Sequence, residues 1–121
     1  MKTALVIDDN RKTADALVEM LDLLSVDAQP SYGSSAAMSL LGEHTPPLIL
    51  LDLNMPGVDG VEILGYLKRE PRLVNVPVIV ITSDDQTETQ QRALDAGADV
   101  ILLKPASLEE IEKALKEVGV L

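Results

Sequence analysis

The chain has no cysteine, no tryptophan and no phenylalanine, and His44 is its only histidine. Without thiols there can be no disulfide, no thiolate nucleophile and no thiolate metal site, so any metal must be held by oxygen. Positive charge is also scarce: ten Lys and Arg stand against twenty Asp and Glu, a formal net charge of −10. Phosphate backbones are neutralised by clustered Lys and Arg, so direct nucleic-acid binding by this chain is not expected. An acidic surface suits a protein partner or a bound cation. No segment approaches the roughly 20 apolar residues of a membrane span. The opening MKTALVIDDN carries one Lys and a short apolar run ending on two acids, without the apolar stretch and cleavage site of a signal peptide. A cytoplasmic chain starting at Met1 is expected.

What is present is the composition of one globular domain, 121 residues with 46% hydrophobic and 25% charged, and a single domain over residues 1–121 is expected. Four apolar runs recur: Ala4 to Ile7, Leu48 to Leu51, Val78 to Ile81 and Val100 to Leu103. Each is rich in Val, Ile and Leu without polar alternation, which predicts parallel strands buried on both faces. A weaker fifth candidate spans Asp27 to Tyr32; its Pro30 lacks an N–H and fits an edge strand.

Between the runs lie segments of helical spacing. Leu17, Val18, Leu21 and Leu24 form one face, and Leu108, Ile111, Leu115 and Val118 another, the latter opened by a Ser107/Glu110 capping box. Shorter helices are predicted over Ser34–Leu41, Val61–Lys68 and Thr87–Ala96, the last with only Ala93, Leu94 and Ala96 for packing. Five β-α repeats with right-handed crossovers make a doubly wound α/β sandwich. Ligands of such folds bind beyond the carboxyl ends of the strands.

The residues closing the four apolar runs are Asp8 with Asp9, Asp52, Thr82 with Ser83, and Lys104. Carboxylates crowded along one edge repel one another unless neutralised, and a hard divalent cation with one ammonium would relieve that. Mg2+ fits best, because it takes few carboxylates, keeps waters and completes its shell with phosphate oxygens. Asp8, Asp9 and Asp52 could supply carboxylates, with the backbone carbonyl of Asn54 in the turn beside them. Lys104 and Thr82 then serve as cation and hydroxyl donor to phosphoryl oxygens, and a carboxylate such as Asp52 can be the nucleophile.

Here the chain resembles the receiver domain of bacterial two-component response regulators, through VIDDN, LLDLNMPGVDG, VIVITS and LLKP in that order and spacing. The resemblance implies a flavodoxin-like (βα)5 fold with strand order 2-1-3-4-5. It also implies Asp52 as phosphoacceptor, Asp8 and Asp9 as the acidic Mg2+ pocket, Asn54 as a backbone ligand, Thr82 as switch hydroxyl and Lys104 as partner of the phosphoryl group. The Lys104–Pro105 bond should be cis. A histidine kinase or histidine phosphotransfer protein would be the donor, hydrolysis would end the signal, and a downstream protein or output domain would read it. Asn54 and Asp84 stand where side chains tune phosphoryl lifetime. The chain departs from many receivers at Ile101, three residues before the Lys, where Tyr or Phe is frequent, and at Ala106, where a bulkier residue is frequent. Ile101 is expected to replace the aromatic, with phosphorylation drawing Thr82 inward and shifting the loop and weakly packed helix that follow.

Each residue also has a plainer reading. Asp8-Asp9 could cap the next helix, Asn54 could favour the turn, Thr82 and Ser83 could end a strand, and Lys104-Pro105 could be a surface cation and a stop signal. Asp84-Asp85 is expected to cap the helix at Thr87, Glu109 to Glu117 to form a solvated face, and His44 to lie exposed in a loop. Asp52 has no helix to cap before Asp59 or Gly60. The alternative functions are a receiver-like scaffold that binds its partner without phosphorylation, and an aspartyl-phosphate phosphohydrolase. The latter resembles D-x-D-x-T after the first strand, a pattern absent from Asp8-Asp9-Asn10.

Overall fold

The structure is a computed structural model and describes residues 3–121. The apolar runs form a five-stranded sheet: β1 (Ala4–Ile7), β2 (Ala28–Ser31), β3 (Ile49–Leu51), β4 (Val78–Thr82) and β5 (Val100–Leu103). The order is 2-1-3-4-5, with every neighbouring pair parallel. Five helices connect and follow them: α1 (Arg11–Leu23), α2 (Ser34–Leu41), α3 (Gly60–Arg69), α4 (Thr87–Ala96) and α5 (Leu108–Glu117).

Because side chains alternate across a strand, the register divides the core in two. Leu5, Ile7, Ile49, Leu51, Val78 and Val80 face α2, α3 and α4, meeting Ala37, Leu41, Ile63, Leu64, Leu67 and Ala93. Ala4, Val6, Leu48, Leu50, Ile79 and Ile81 face α1 and α5, meeting Ala14, Leu17, Leu21, Ile111, Ala114 and Leu115. Burial on both faces explains why the central runs have no polar alternation. Pro30 pairs with Val6 on the edge strand β2, where its missing N–H faces no neighbour. No helix of the described residues is long and apolar enough to cross a membrane.

The structure corrects several local expectations. The other edge strand, β5, is only partly buried, and Leu103 is exposed, since one side of its ladder lacks a covering strand. Leu94 and Leu108 point to solvent, so α4 buries only Ala93 and α5 packs through Ile111, Ala114 and Leu115. The capping box of Ser107 and Glu110 forms as expected. However, Asn10, and not Asp8 or Asp9, caps α1 by accepting from the Thr13 N–H. The residue before α4 is Gln86, which makes no side-chain cap, and Asp84 reaches its N–H from two residues upstream.

After β3 the chain does not run straight into α3. Asn54–Met55 pairs antiparallel with Val58–Asp59 in a two-rung ribbon, turned by Pro56 and by Gly57 at φ +72°. Proline followed by a left-handed glycine suits that turn. Asp59 then caps α3 by accepting from the Val61 N–H.

Candidate functional site

The parallel ladder continues one residue beyond β1, β3 and β5, while Thr82 closes β4, and the polar residues are so aimed at the sheet's carboxyl edge. The Asp8 N–H donates to the Ser31 carbonyl at 3.1 Å, the Asp52 N–H to the Ile7 carbonyl at 3.0 Å, and the Lys104 N–H to the Thr82 carbonyl at 2.9 Å. Backbone positions are thereby fixed before any side chain is considered. Asp8, Asp52 and Thr82 are buried, with exposures of 1%, 5% and 0%, whereas Asp9 is exposed.

Three carboxylates converge. One oxygen from each of Asp8, Asp9 and Asp52 lies within 4.8 Å of the others. Lys104 joins them, its Nζ 2.9 Å from Asp8 Oδ2 and 3.5 Å from Asp52 Oδ2. The Lys104–Pro105 bond is cis. Each buried acid also receives a backbone N–H two residues on: Asn10 donates to Asp8 Oδ1 at 2.9 Å and Asn54 to Asp52 Oδ1 at 3.1 Å. Burial raises the Asp52 pKa above the usual carboxylate range. The Asn54 N–H and the Lys104 ammonium oppose the rise, and the charge of Asp8 adds to it. An all-oxygen set of closely spaced carboxylates, two of them buried and short of positive charge, has the chemistry of a hard divalent cation site.

Thr82 is tied into this site by the side chain of Asn54. Asn54 Nδ2 donates to Thr82 Oγ1 at 2.7 Å, across 28 residues and two elements. The sequence marks Asn54 for its carbonyl and for a side chain that tunes phosphoryl lifetime, but the partner of that side chain depends on the fold. The Asp84 N–H also donates to Thr82 Oγ1, at 3.1 Å. Beyond it, Asp84 Oδ1 accepts from the Gln86 N–H at 2.9 Å and Oδ2 from the Thr89 hydroxyl at 2.7 Å. These donors, the Gln86 N–H first and the Thr89 hydroxyl second, hold the Asp84 carboxyl below its usual pKa. Ile101 is partly buried and packs into the core on the α2-α3-α4 side. His44 is exposed and away from these contacts.

Residues 4–116 match the response regulator receiver domain family. The chain belongs to this family. It is 30% identical over 117 residues to the phosphate regulon transcriptional regulatory protein PhoB of Pseudomonas aeruginosa, covering 97% of this chain and 51% of that one. It is also 30% identical to a probable methanogenesis regulatory protein of Methanothrix harundinacea, covering 94% of this chain and 79% of that one. The chain spans about half the length of the Pseudomonas protein and of several other curated relatives that it matches. Among solved structures, the signal receiver domain of a DNA-binding response regulator from Colwellia psychrerythraea superposes with a TM-score of 0.90 at 28% identity, over 100% of both chains. A Burkholderia pseudomallei response regulator with a phosphorylated aspartic acid and a calcium ion superposes at 0.85 with 29% identity, over 95% of this chain and 66% of that one. As a receiver, the chain is a signalling domain of two-component systems.

Proposed function

We propose that this receiver, over residues 1–121, is a switch phosphorylated on Asp52. One observation carries the reading: the buried Asp52 carboxylate sits at the end of the central strand, beside two further carboxylates and 3.5 Å from the Lys104 ammonium. A carboxylate oxygen of Asp52 attacks the phosphorus of a phosphohistidine on a histidine kinase or phosphotransfer protein. The P–O bond to Asp52 forms as the P–N bond breaks, and the leaving imidazole takes up a proton. Lys104 pairs with phosphoryl oxygens, and Thr82 donates its hydroxyl proton to another.

Asp8, Asp9 and Asp52, with the Asn54 carbonyl, would hold Mg2+, which when bound supplies positive charge between the acids and phosphoryl oxygens. Water later cleaves the aspartyl-phosphate, releasing inorganic phosphate and restoring the Asp52 carboxylate. Asn54 and Asp84, flanking Thr82, set how readily water reaches it. The related Burkholderia structure, with its phosphorylated aspartic acid and bound calcium, supports the same chemistry here. The reader of the switch is a downstream protein or output domain, since a net charge of −10 does not suit direct contact with DNA. These steps belong in the cytoplasm.

Incubation with a small phosphodonor and Mg2+, followed by intact-mass measurement, tests the reading. A single phosphoryl adduct is expected on the wild type and none on Asp52→Asn. If a competent kinase also leaves the wild type unmodified, the chain is a scaffold; turnover of free phosphate esters would make it a hydrolase.

A further inference from the structure

Helix α4 has little apolar anchorage, with Ala96 only partly buried against the core that Ala93 joins. It buries only Ala93, its N-cap Gln86 contributes no side-chain bond, and Leu94 faces solvent. Its second tie, Arg92 to Asp59 at 3.1 Å, joins two exposed side chains, and such pairs contribute little in water. The other polar tie is the pair of bonds from Asp84, to the Gln86 N–H at the helix entrance and to the Thr89 hydroxyl in the first turn. Asp84 is therefore the clasp of the helix's N-terminal end.

The same residue touches the site through its backbone. A hydroxyl oxygen accepts two hydrogen bonds and donates one. Thr82 Oγ1 already accepts from Asn54 Nδ2 and the Asp84 N–H, so its acceptor capacity is full. Moving that oxygen toward a phosphoryl group on Asp52 must stretch or break one of these bonds. The Asp84 bond is the longer of the two, 3.1 Å against 2.7 Å. An Asp84 that loses its hold on Thr82 carries its carboxylate, and Thr89 with it.

We propose that the state of Asp52 reaches α4 through the hydrogen-bonded chain Asn54–Thr82–Asp84–Thr89, with the Asp84 carboxylate–Thr89 hydroxyl bond as its coupling element. The proposal rests on Asp52 phosphorylation. It makes Thr89 a positioning residue, acting on the site only through Asp84. The two aromatic residues, Tyr32 and Tyr66, lie on other elements: Tyr32 after β2, bonded to Asp15, and Tyr66 on α3. The readout needs neither ring.

Amide chemical shifts of the full chain, recorded with Mg2+ with and without beryllofluoride as the phosphoryl mimic, test this. In the wild type, shifts are expected at Asp52, at residues 82–86 and along 87–96. Thr89→Val keeps the shape of the side chain and removes its hydroxyl; it should retain the shifts at Asp52 and Thr82 while those over 88–96 fall at least twofold, and Thr89→Ser should restore them. Asp84→Ala should give the same loss. The double variant should lose no more than either single change, because both remove one link. Wild-type shifts along α4 in Thr89→Val, or additive losses in the double variant, would overturn the coupling. A wild type in which Asp52 itself does not respond would instead remove the phosphorylation reading, and the coupling with it.

Discussion

At the scale of single residues, the site is built against the stability of the fold. Asp52 is buried next to Asp8, and its carboxyl pKa is raised chiefly by that burial. A raised folded-state pKa means that the folded chain binds the proton more tightly than the unfolded one. The ionised group therefore costs stability above the folded pKa, and the cost vanishes as the pH falls through it toward the ordinary value near 4. Asp52→Asn, which still accepts the Asn54 N–H, should stabilise the domain at pH 7 by about 1 kcal/mol, a usual size for one stabilising change. Urea denaturation at pH 7 and at lower pH checks this, with the gain expected to shrink on acidification; a variant less stable at pH 7 would contradict it. Gly60 is the opposite case, a residue required by geometry. A Cβ there would lie 2.5 Å from Leu53 Cα and 2.8 Å from the Leu53 carbonyl oxygen, both rigid backbone atoms. Gly60→Ala should cost about 3 kcal/mol, the upper part of the range for overpacking, and should displace the ribbon that starts at Asn54. A near-normal denaturation midpoint would show that the backbone yields there.

At the scale of elements, what was legible in the sequence was whatever repeats locally. The four apolar runs gave strands to within a residue: in the runs of β1, β3 and β4 burial on both faces leaves no polar position, and the half-buried edge strand β5 is read from its apolar composition alone. The Ser107/Glu110 box marked α5 because both bonds of a capping box lie within four residues. The acids at strand ends were legible because parallel strands deliver their carboxyl termini to one edge. The Asn54–Thr82, Asp84–Thr89 and Arg92–Asp59 contacts were not, since no local pattern requires them and two of the three span about thirty residues. Leu94 misled because a helix face can be read from spacing only when enough apolar residues define it, and α4 has too few; Leu108 misled because it is the first residue of α5, one turn ahead of Ile111, where the helix first meets the core. The two helix starts make a direct comparison. Ser107→Ala removes a bonded cap and should lower stability by about 1 kcal/mol in urea denaturation. Gln86→Ala, at a cap with no side-chain bond, should change it by less than half as much.

At the scale of the whole molecule, the dominant fact is the excess of negative charge, −10 on 121 residues, with three of its carboxylates drawn together at one edge. Two effects of added salt must be separated. Any salt screens the diffuse surface repulsion within a Debye length of about 10 Å at 0.1 M, whereas a cation bound by Asp8, Asp9 and Asp52 stabilises only the folded chain. Bound metal adds RT ln(1 + [L]/Kd), about 2.7 kcal/mol at a hundredfold excess over Kd. Thermal unfolding should therefore shift upward in MgCl2 beyond its value in NaCl of the same ionic strength, and EDTA should remove the excess. The pair Asp8→Asn and Asp9→Asn should keep the NaCl response and lose the Mg2+ excess, because the variants change the local cluster and only two of twenty acids overall. Equal midpoints in the two salts for the wild type would mean that the three acids do not act as one cation site, and that Lys104, 2.9 Å from Asp8 and 3.5 Å from Asp52, is the main positive charge balancing them.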